Sequence, residues 1–100
     1  MTQYLIATSV LEAIVRGSLD SDERLRIHPP LPLMRTHPVE IGVEGDECRV
    51  SVHLDARMGE RLPTLASSVR QTVATALTSM TGLKVAAVDI AFGGVFPATV

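Results

Sequence analysis

The spacing of apolar residues between Leu62 and Met80 constrains the fold more than any other feature of the sequence. Apolar side chains recur there in steps of three and four, at positions 62, 65, 66, 69, 73, 76, 77 and 80. This spacing predicts one continuous amphipathic helix. Pro63 suits its first turn, where a missing N–H costs no intrahelical bond. Gly82 suits the left-handed residue that ends a helix, so a β-rich segment, Leu83 to Phe92, follows almost at once.

Two segments before this helix alternate apolar and polar residues, as half-buried strands do. They are residues 39–44 and 48–56, and the Gly45-Asp46 pair between them is the signal of a two-residue type II′ hairpin. This turn predicts that residue 44 faces 47, 43 faces 48, 41 faces 50 and 39 faces 52. In that register the apolar side chains of both strands share one side. The C-terminal strand is expected to place Ala86, Val88, Ile90 and Phe92 on one face, and Val85, Ala87, Asp89 and Ala91 on the other.

The first helix is predicted from weaker signals. Thr8 or Ser9 is expected to cap it, and Glu12 stands three residues after Ser9 as in a capping box. We expect this helix to end between Leu19 and Arg24.

The remaining N-terminal residues are expected to lie outside helices. Residues 4–7 suit a short extra strand. Residues 25–38 contain four prolines and are predicted to form a loop, because proline lacks a backbone donor and disfavours helix in the residue before it.

These elements predict an α+β fold, with residues 1–100 forming one domain in α-β-β-α-β order. We expect a two-layer sandwich in which a mostly antiparallel sheet of three main strands carries both helices on one face. The other sheet face would then be uncovered. Its apolar row beside a mixed polar row predicts an interaction face for self-association or a partner, made of Val85, Ala87, Ala91, Arg49, Ser51 and His53.

Composition excludes several classes of function. The formal net charge is −2, with no basic cluster, so nucleic acid is not an expected partner. With Cys48 as the only cysteine, no intrachain disulfide is possible and a reducing, cytoplasmic location is expected. The sequence has no signal-peptide pattern and no apolar run of 18 residues, so direct membrane insertion is not expected.

Catalytic, metal and cofactor chemistry find little support in the sequence. A metal site would draw on His28, His37, His53 and Cys48, but strand alternation sends Cys48 inward and His53 outward, and the two loop histidines match no zinc spacing. Ser51, His53 and Asp55 share one strand face, yet successive same-face positions lie about 7 Å apart. No nucleophile elbow or glycine-rich phosphate loop accompanies them. We therefore predict a protein that is not an enzyme and holds no metal or cofactor.

The C-terminal half resembles the alkaline shock protein family of bacterial envelope stress response proteins. The resemblance rests on Met58-Gly59, on Leu62-Pro63 and the helix after it, on the Ser79-Met80-Thr81-Gly82-Leu83 ending, and on the strand containing Val85, Val88-Asp89-Ile90 and Phe92. The family has Tyr where this chain has Met58, and Asn where it has Asp89. The hairpin and the start of the first helix are similar too.

This resemblance implies a cytoplasmic, non-enzymatic protein linked to the cell envelope. By the same resemblance we expect it to act by self-assembly as a homo-oligomer, or by docking to a membrane-anchored partner protein that would hold it at the inner face of the membrane. The alternative is a KH-like RNA-binding module, suggested by the order of elements, although the chain carries a net negative charge.

Overall fold

The computed structural model describes residues 6–28 and 37–98. Its elements follow the order α-β-β-β-α-β. The two helices are α1 (Thr8–Leu19) and α2 (Leu62–Thr81), and the four strands are β1 (Leu25–Ile27), β2 (Val39–Glu44), β3 (Glu47–Arg57) and β4 (Lys84–Phe96).

Strand β3 lies at the centre of the sheet. The short β1 pairs with its C-terminal part, and β2 pairs with its N-terminal part, both antiparallel. Strand β4 pairs in parallel along all of β3. Because a strand has only two edges, β1 and β2 follow one another along one edge and β4 takes the other. The α+β prediction is confirmed, with two of the three pairings antiparallel and one strand more than the three main ones expected.

The core lies between one face of this sheet and the two helices. Every second residue of β3, from Cys48 to Ala56, is buried there. Helix α2 contributes the predicted stripe, of which Leu65, Val69, Val73 and Leu77 are at most 1% exposed. The ends of that stripe extend beyond the sheet, since Leu62 is 39% and Met80 69% exposed.

Local signals around the hairpin and α2 are confirmed. The β2–β3 register pairs residues 44 with 47, 43 with 48, 41 with 50 and 39 with 52, and Gly45 has a φ of +62°. Pro63 stands in the first turn of α2, and Gly82 ends the helix with a φ of +76°, its N–H donating to the carbonyl of Thr78. These glycine positions need positive φ, which other residues adopt only with strain.

Three expectations for the N-terminal third are wrong. Residues 25–27 form strand β1, although they were expected in a loop, because all four prolines come after them and leave their backbone free to pair with β3. Helix α1 begins after Ala7 with no side-chain cap, so neither hydroxyl caps it. Ile6 and Ala7 are not in a strand. The rest of the expected extra strand, residues 4 and 5, and the proline segment 29–36 lie outside the described residues.

A β-bulge changes which face of β4 its first residues occupy. The register pairs Cys48 with Val85 and then Arg49 with Ala87, so Ala86 is an extra residue. Val85 therefore points to the same side as buried Cys48 and packs against the core together with Val88, Ile90 and Phe92. The predicted placement of Val85 on the uncovered face is wrong, and so is the placement of Ala86 with the core residues.

Candidate functional site

The sheet surface turned away from the helices is the candidate functional site, and we call it the open face. It consists of the residues of β3 that alternate with the buried ones, together with their register partners on the neighbouring strands. Read across the sheet, its rows are Glu44, Glu47 and Lys84; Gly42, Arg49 and Ala87; Glu40, Ser51 and Asp89; His53 and Ala91; Arg26, Asp55 and Gly94; and Arg57 and Phe96.

The open face contains five of the six predicted interaction residues. Arg49, Ser51 and His53 lie along β3, and Ala87 and Ala91 lie beside them on β4. The sixth, Val85, lies on the core side for the reason given above. The apolar part of the open face on β4 is therefore formed by alanine and glycine, whose small side chains leave the backbone accessible, and by Phe96 at the end of the strand.

One close side-chain pair on this face was not predicted. His28, just after β1, places Nδ1 2.6 Å from Oδ1 of Asp55 on β3. Both side chains are partly covered, at 30% and 21% exposed. The pair fastens the end of β1 to the central strand.

Two glycines on β4 make room for this pair. A Cβ at Gly93 would lie 3.2 Å from Cε1 and Nδ1 of His28, and a Cβ at Gly94 would lie 3.1 Å from Oδ1 of Asp55. Glycine inside a strand often marks a bulge or a close approach of another group, and here both occur, because the second register shift of β4 falls at this point. The Gly93-Gly94 dipeptide was the sequence signal that could have indicated the site.

The neighbouring end of the open face carries two arginines with partners. The Arg26 guanidinium lies 4.1 Å from the centroid of the Phe96 ring, which is the geometry of a cation–π contact. Arg57 donates a 3.0 Å hydrogen bond to Glu60. These contacts hold the β1 and β4 ends of the face in place.

The opposite end of the open face carries charges without partners. Among residues 6–28 and 37–98, neither a hydrogen bond nor an ion pair engages the side chain of Arg49, Glu47, Glu40 or Asp89. Arg49 stands between Gly42 and Ala87 in its row, so neither of its row neighbours has a long side chain. These charges are available to a binding partner.

The pKa values that are shifted belong to groups away from the open face. A hydrogen bond from Arg24 lowers the pKa of Asp22 against the opposing effect of burial, and the same bond raises the pKa of Arg24. Burial raises the pKa of the Cys48 thiol, which lies in the core. The protonated thiol is a poor nucleophile, so Cys48 acts as a small apolar core residue.

Ser51, His53 and Asp55 do not form a hydrogen-bonded catalytic triad. The carboxylate of Asp55 binds His28 and not His53. In the described part of the chain, no hydrogen bond joins Ser51 to His53, and no group of three or more metal-binding side chains converges. The arrangement offers charges, hydrogen-bonding groups and accessible backbone on a surface with open depressions, one of about 300 Å³ beside Ser51 and Asp89 and one of about 200 Å³ beside Glu44 and Glu47.

Another surface depression lies between α1 and α2, on the side of the molecule opposite the open face. Its lining is mainly hydroxyl and amide side chains, from Ser18, Ser68, Gln71, Thr72, Thr75, Ala76 and Ser79. One of these, Ser68, accepts a hydrogen bond from Arg24, which ties α2 to the segment after α1. This depression contains no charged side chain, and its polar residues are those of a solvated helix surface.

Neither helix of the described chain has both the length and the apolar character needed to cross a bilayer. Neither a curated protein nor a solved structure gives a significant match to the sequence. A family model does match, over residues 32–97, which include β2, β3, α2 and β4 and therefore most of the open face. The chain belongs to the alkaline shock protein 23 family, whose members are assigned a cell envelope-related function.

Proposed function

We propose that this protein is a non-enzymatic interaction module of the cell envelope that works through its open face, by self-assembly or by docking to a membrane-anchored partner. The observation that carries the proposal is the composition of that face. It combines charges without partners at Arg49 and Glu47 with a strip of alanine and glycine on β4. A sheet surface whose depressions are this open and lined by charged side chains suits another protein surface better than a small ligand, which is bound in an enclosed, mostly apolar pocket.

Family membership supports the envelope part of the proposal, because the family is described by an envelope-related function and is not a known enzyme family. A chain of this kind would reach the membrane through a partner. We place it in the cytoplasm, at the inner face of the membrane when the partner is bound.

Site-specific photo-cross-linking tests this function in cells. A cross-linking amino acid at Ala91, which is exposed on the open face, should give discrete products with a second copy or with a protein of the envelope fraction. The matched control is the same amino acid at Thr75, which is exposed on α2. Products from position 75 and none from position 91 would place the interaction on the helices and refute the proposal.

The RNA-binding alternative makes a separate prediction. A KH-like module would retain single-stranded RNA on a filter at low salt, and its binding would fall steeply as salt rises. We expect no retention, because the chain carries a net negative charge and its open face mixes both signs.

A further inference from the structure

We propose that the open face is self-complementary and that two copies stack face to face with their β3 strands antiparallel. This inference rests on the proposed function and specifies one partner, a second copy of this chain. The order of charges along β3 carries it. From one end to the other, the open-face side chains of β3 are Glu47, Arg49, Ser51, His53, Asp55 and Arg57.

That order is complementary to its own reverse. When two such rows lie antiparallel with their centres between Ser51 and His53, Glu47 faces Arg57, Arg49 faces Asp55, and the Ser51 hydroxyl faces the His53 imidazole. Asp55 and Arg57 keep their contacts with His28 and Glu60, which engage one carboxylate oxygen and one guanidinium nitrogen. Each of these pairs occurs twice, once on each side of the two-fold axis. An isologous interface requires this kind of self-complementarity, in which residue i contacts j and j contacts i.

The two-fold arrangement with parallel β3 strands is unfavourable. If the axis ran along β3, the strands would be parallel and each residue would face its own copy, so that Arg49 would meet Arg49 and Glu47 would meet Glu47. Like charges at close range across an interface are repulsive. The charge pattern therefore selects the antiparallel arrangement.

Strand β4 permits the required close approach. In the antiparallel arrangement the two-fold axis lies in the plane of the interface, perpendicular to the strands. Strand β4 of one copy therefore lies over β4 of the other. The register then places Ala87 over Gly94, Asp89 over Ala91, and Lys84 over Phe96. The first two pairs include at least one alanine or glycine, so two sheets can pack at the usual distance of about 10 Å. The third brings an ammonium group towards the Phe96 ring, one face of which already contacts Arg26.

Strand length and sheet twist set the expected strength of the dimer. Positions 49 and 55 lie about 10 Å from the axis. The usual rotation of about 30° between stacked sheets therefore displaces residue 49 of one copy from residue 55 of the other by about 5 Å. An arginine side chain can span this distance. The face of β3 and its neighbours covers about 500 Å² per copy. This area is at the low end for specific interfaces, so we expect a dimer with a Kd in the micromolar range that dissociates as salt is raised.

Two charge-reversal variants test the arrangement by sedimentation equilibrium. Arg49→Glu alone would place two carboxylates in each inner pair, and Asp55→Lys alone would place two cations there. Each variant should self-associate about tenfold more weakly than the wild type. An equimolar mixture of the two should restore association, because glutamate at 49 then faces lysine at 55 in one pair while Asp55 faces Arg49 in the other.

The controls separate this inference from general charge effects and from the proposed function. Arg16→Glu makes the same change in net charge as Arg49→Glu, on the exposed surface of α1, and should leave association unchanged. Because Asp55→Lys also removes the His28 contact, its fold is checked by circular dichroism. If it is unfolded, Glu47→Lys mixed with Arg57→Glu provides the same test on the outer pairs.

Restoration in the mixture supports the stacked dimer. A wild type that stays monomeric at millimolar concentration, or a mixture no stronger than its components, overturns it. In that case a cross-link from Ala91 to an envelope protein would still support the docking form of the proposed function, so the two failures are distinguishable.

Discussion

Replacing Gly93 by alanine should separate the histidine–aspartate contact from the ordinary effects of glycine in a strand. The added Cβ would lie 3.2 Å from two atoms of the His28 ring, which is closer than carbon atoms normally pack. The ring must move, and its hydrogen bond to Asp55, now 2.6 Å, must lengthen or break. Such a bond contributes about 1 kcal/mol when its groups are partly covered by protein, as these are.

Gly42→Ala is the matched control. Gly42 lies on the open face of β2, has no atom within 4 Å of its would-be Cβ, and does not need a positive φ. This substitution should stabilise the protein by about 0.5 kcal/mol, because alanine restricts the unfolded chain. Gly93→Ala restricts the unfolded chain in the same way, so we expect it to be less stable than Gly42→Ala by about 1 kcal/mol, the value of the lost hydrogen bond, or roughly 4–8 °C in Tm for a chain of this size.

Thermal and urea unfolding measure this difference. In a His28→Ala background the ring is absent, so the two alanine variants should differ by only a few tenths of a kcal/mol. Equal effects of the two substitutions in the wild-type background would refute the reasoning. A lower stability of Gly93→Ala that persists in the His28→Ala background would also refute it, because the loss would then arise from the bulge itself.

Four further predictions concern the core, pH, the thiol and the sheet edge. Leu77→Ala should cost about 2–5 kcal/mol in urea unfolding, because Leu77 is fully buried, whereas Met80→Ala should stay within about 0.5 kcal/mol; similar effects would mean that the helix packs differently. Asp22 has a folded pKa below its unfolded value, so its contribution is complete above the unfolded pKa and is lost as the pH falls from about 5 towards 2; Asp22→Asn should flatten that acid-side loss, and parallel pH profiles would contradict this. Cys48 should react with iodoacetamide only on unfolding, because its thiol is buried and its pKa is raised; rapid labelling of the native protein would refute its core placement. Arg70 donates to the Val88 carbonyl on β4, whose only strand partner in the described part of the chain is β3; Arg70→Ala should therefore raise light scattering on storage relative to Arg16→Ala, and equal scattering would show that this edge needs no cover.

The sequence predicts those parts of the fold that local chemistry determines. The hairpin register was predictable because Gly45 specifies the turn and the apolar alternation on both strands agrees with it. Helix α2 was predictable because its stripe, Pro63 and Gly82 all indicate the same boundaries. In each case several independent local signals coincide.

The parts that were not predictable depend on distant residues. Strand β1 has three residues and no alternation long enough to detect, and it exists because β3 offers a free edge opposite residues 54–56. His28 is placed by that strand, so its contact with Asp55 could not be read from either segment alone. Of the open face, the β3 residues and their neighbours on β2 were predictable from alternation and the hairpin turn, whereas their neighbours on β4 depend on a register that two bulges shift.

The bulge at Ala86 has the largest consequence for how the open face can bind. Without it, strict alternation would put Val85 on that face and make association depend on an apolar row. With it, Val85 packs beside Cys48 in the core, and β4 presents mainly alanine and glycine next to the charges of β3. In the proposed stacking, binding depends on charge order, which salt weakens, and on close packing of the two sheets, which salt does not screen. A one-residue irregularity in β4 thus changes the expected partner from any apolar surface to one with a matching sequence of charges.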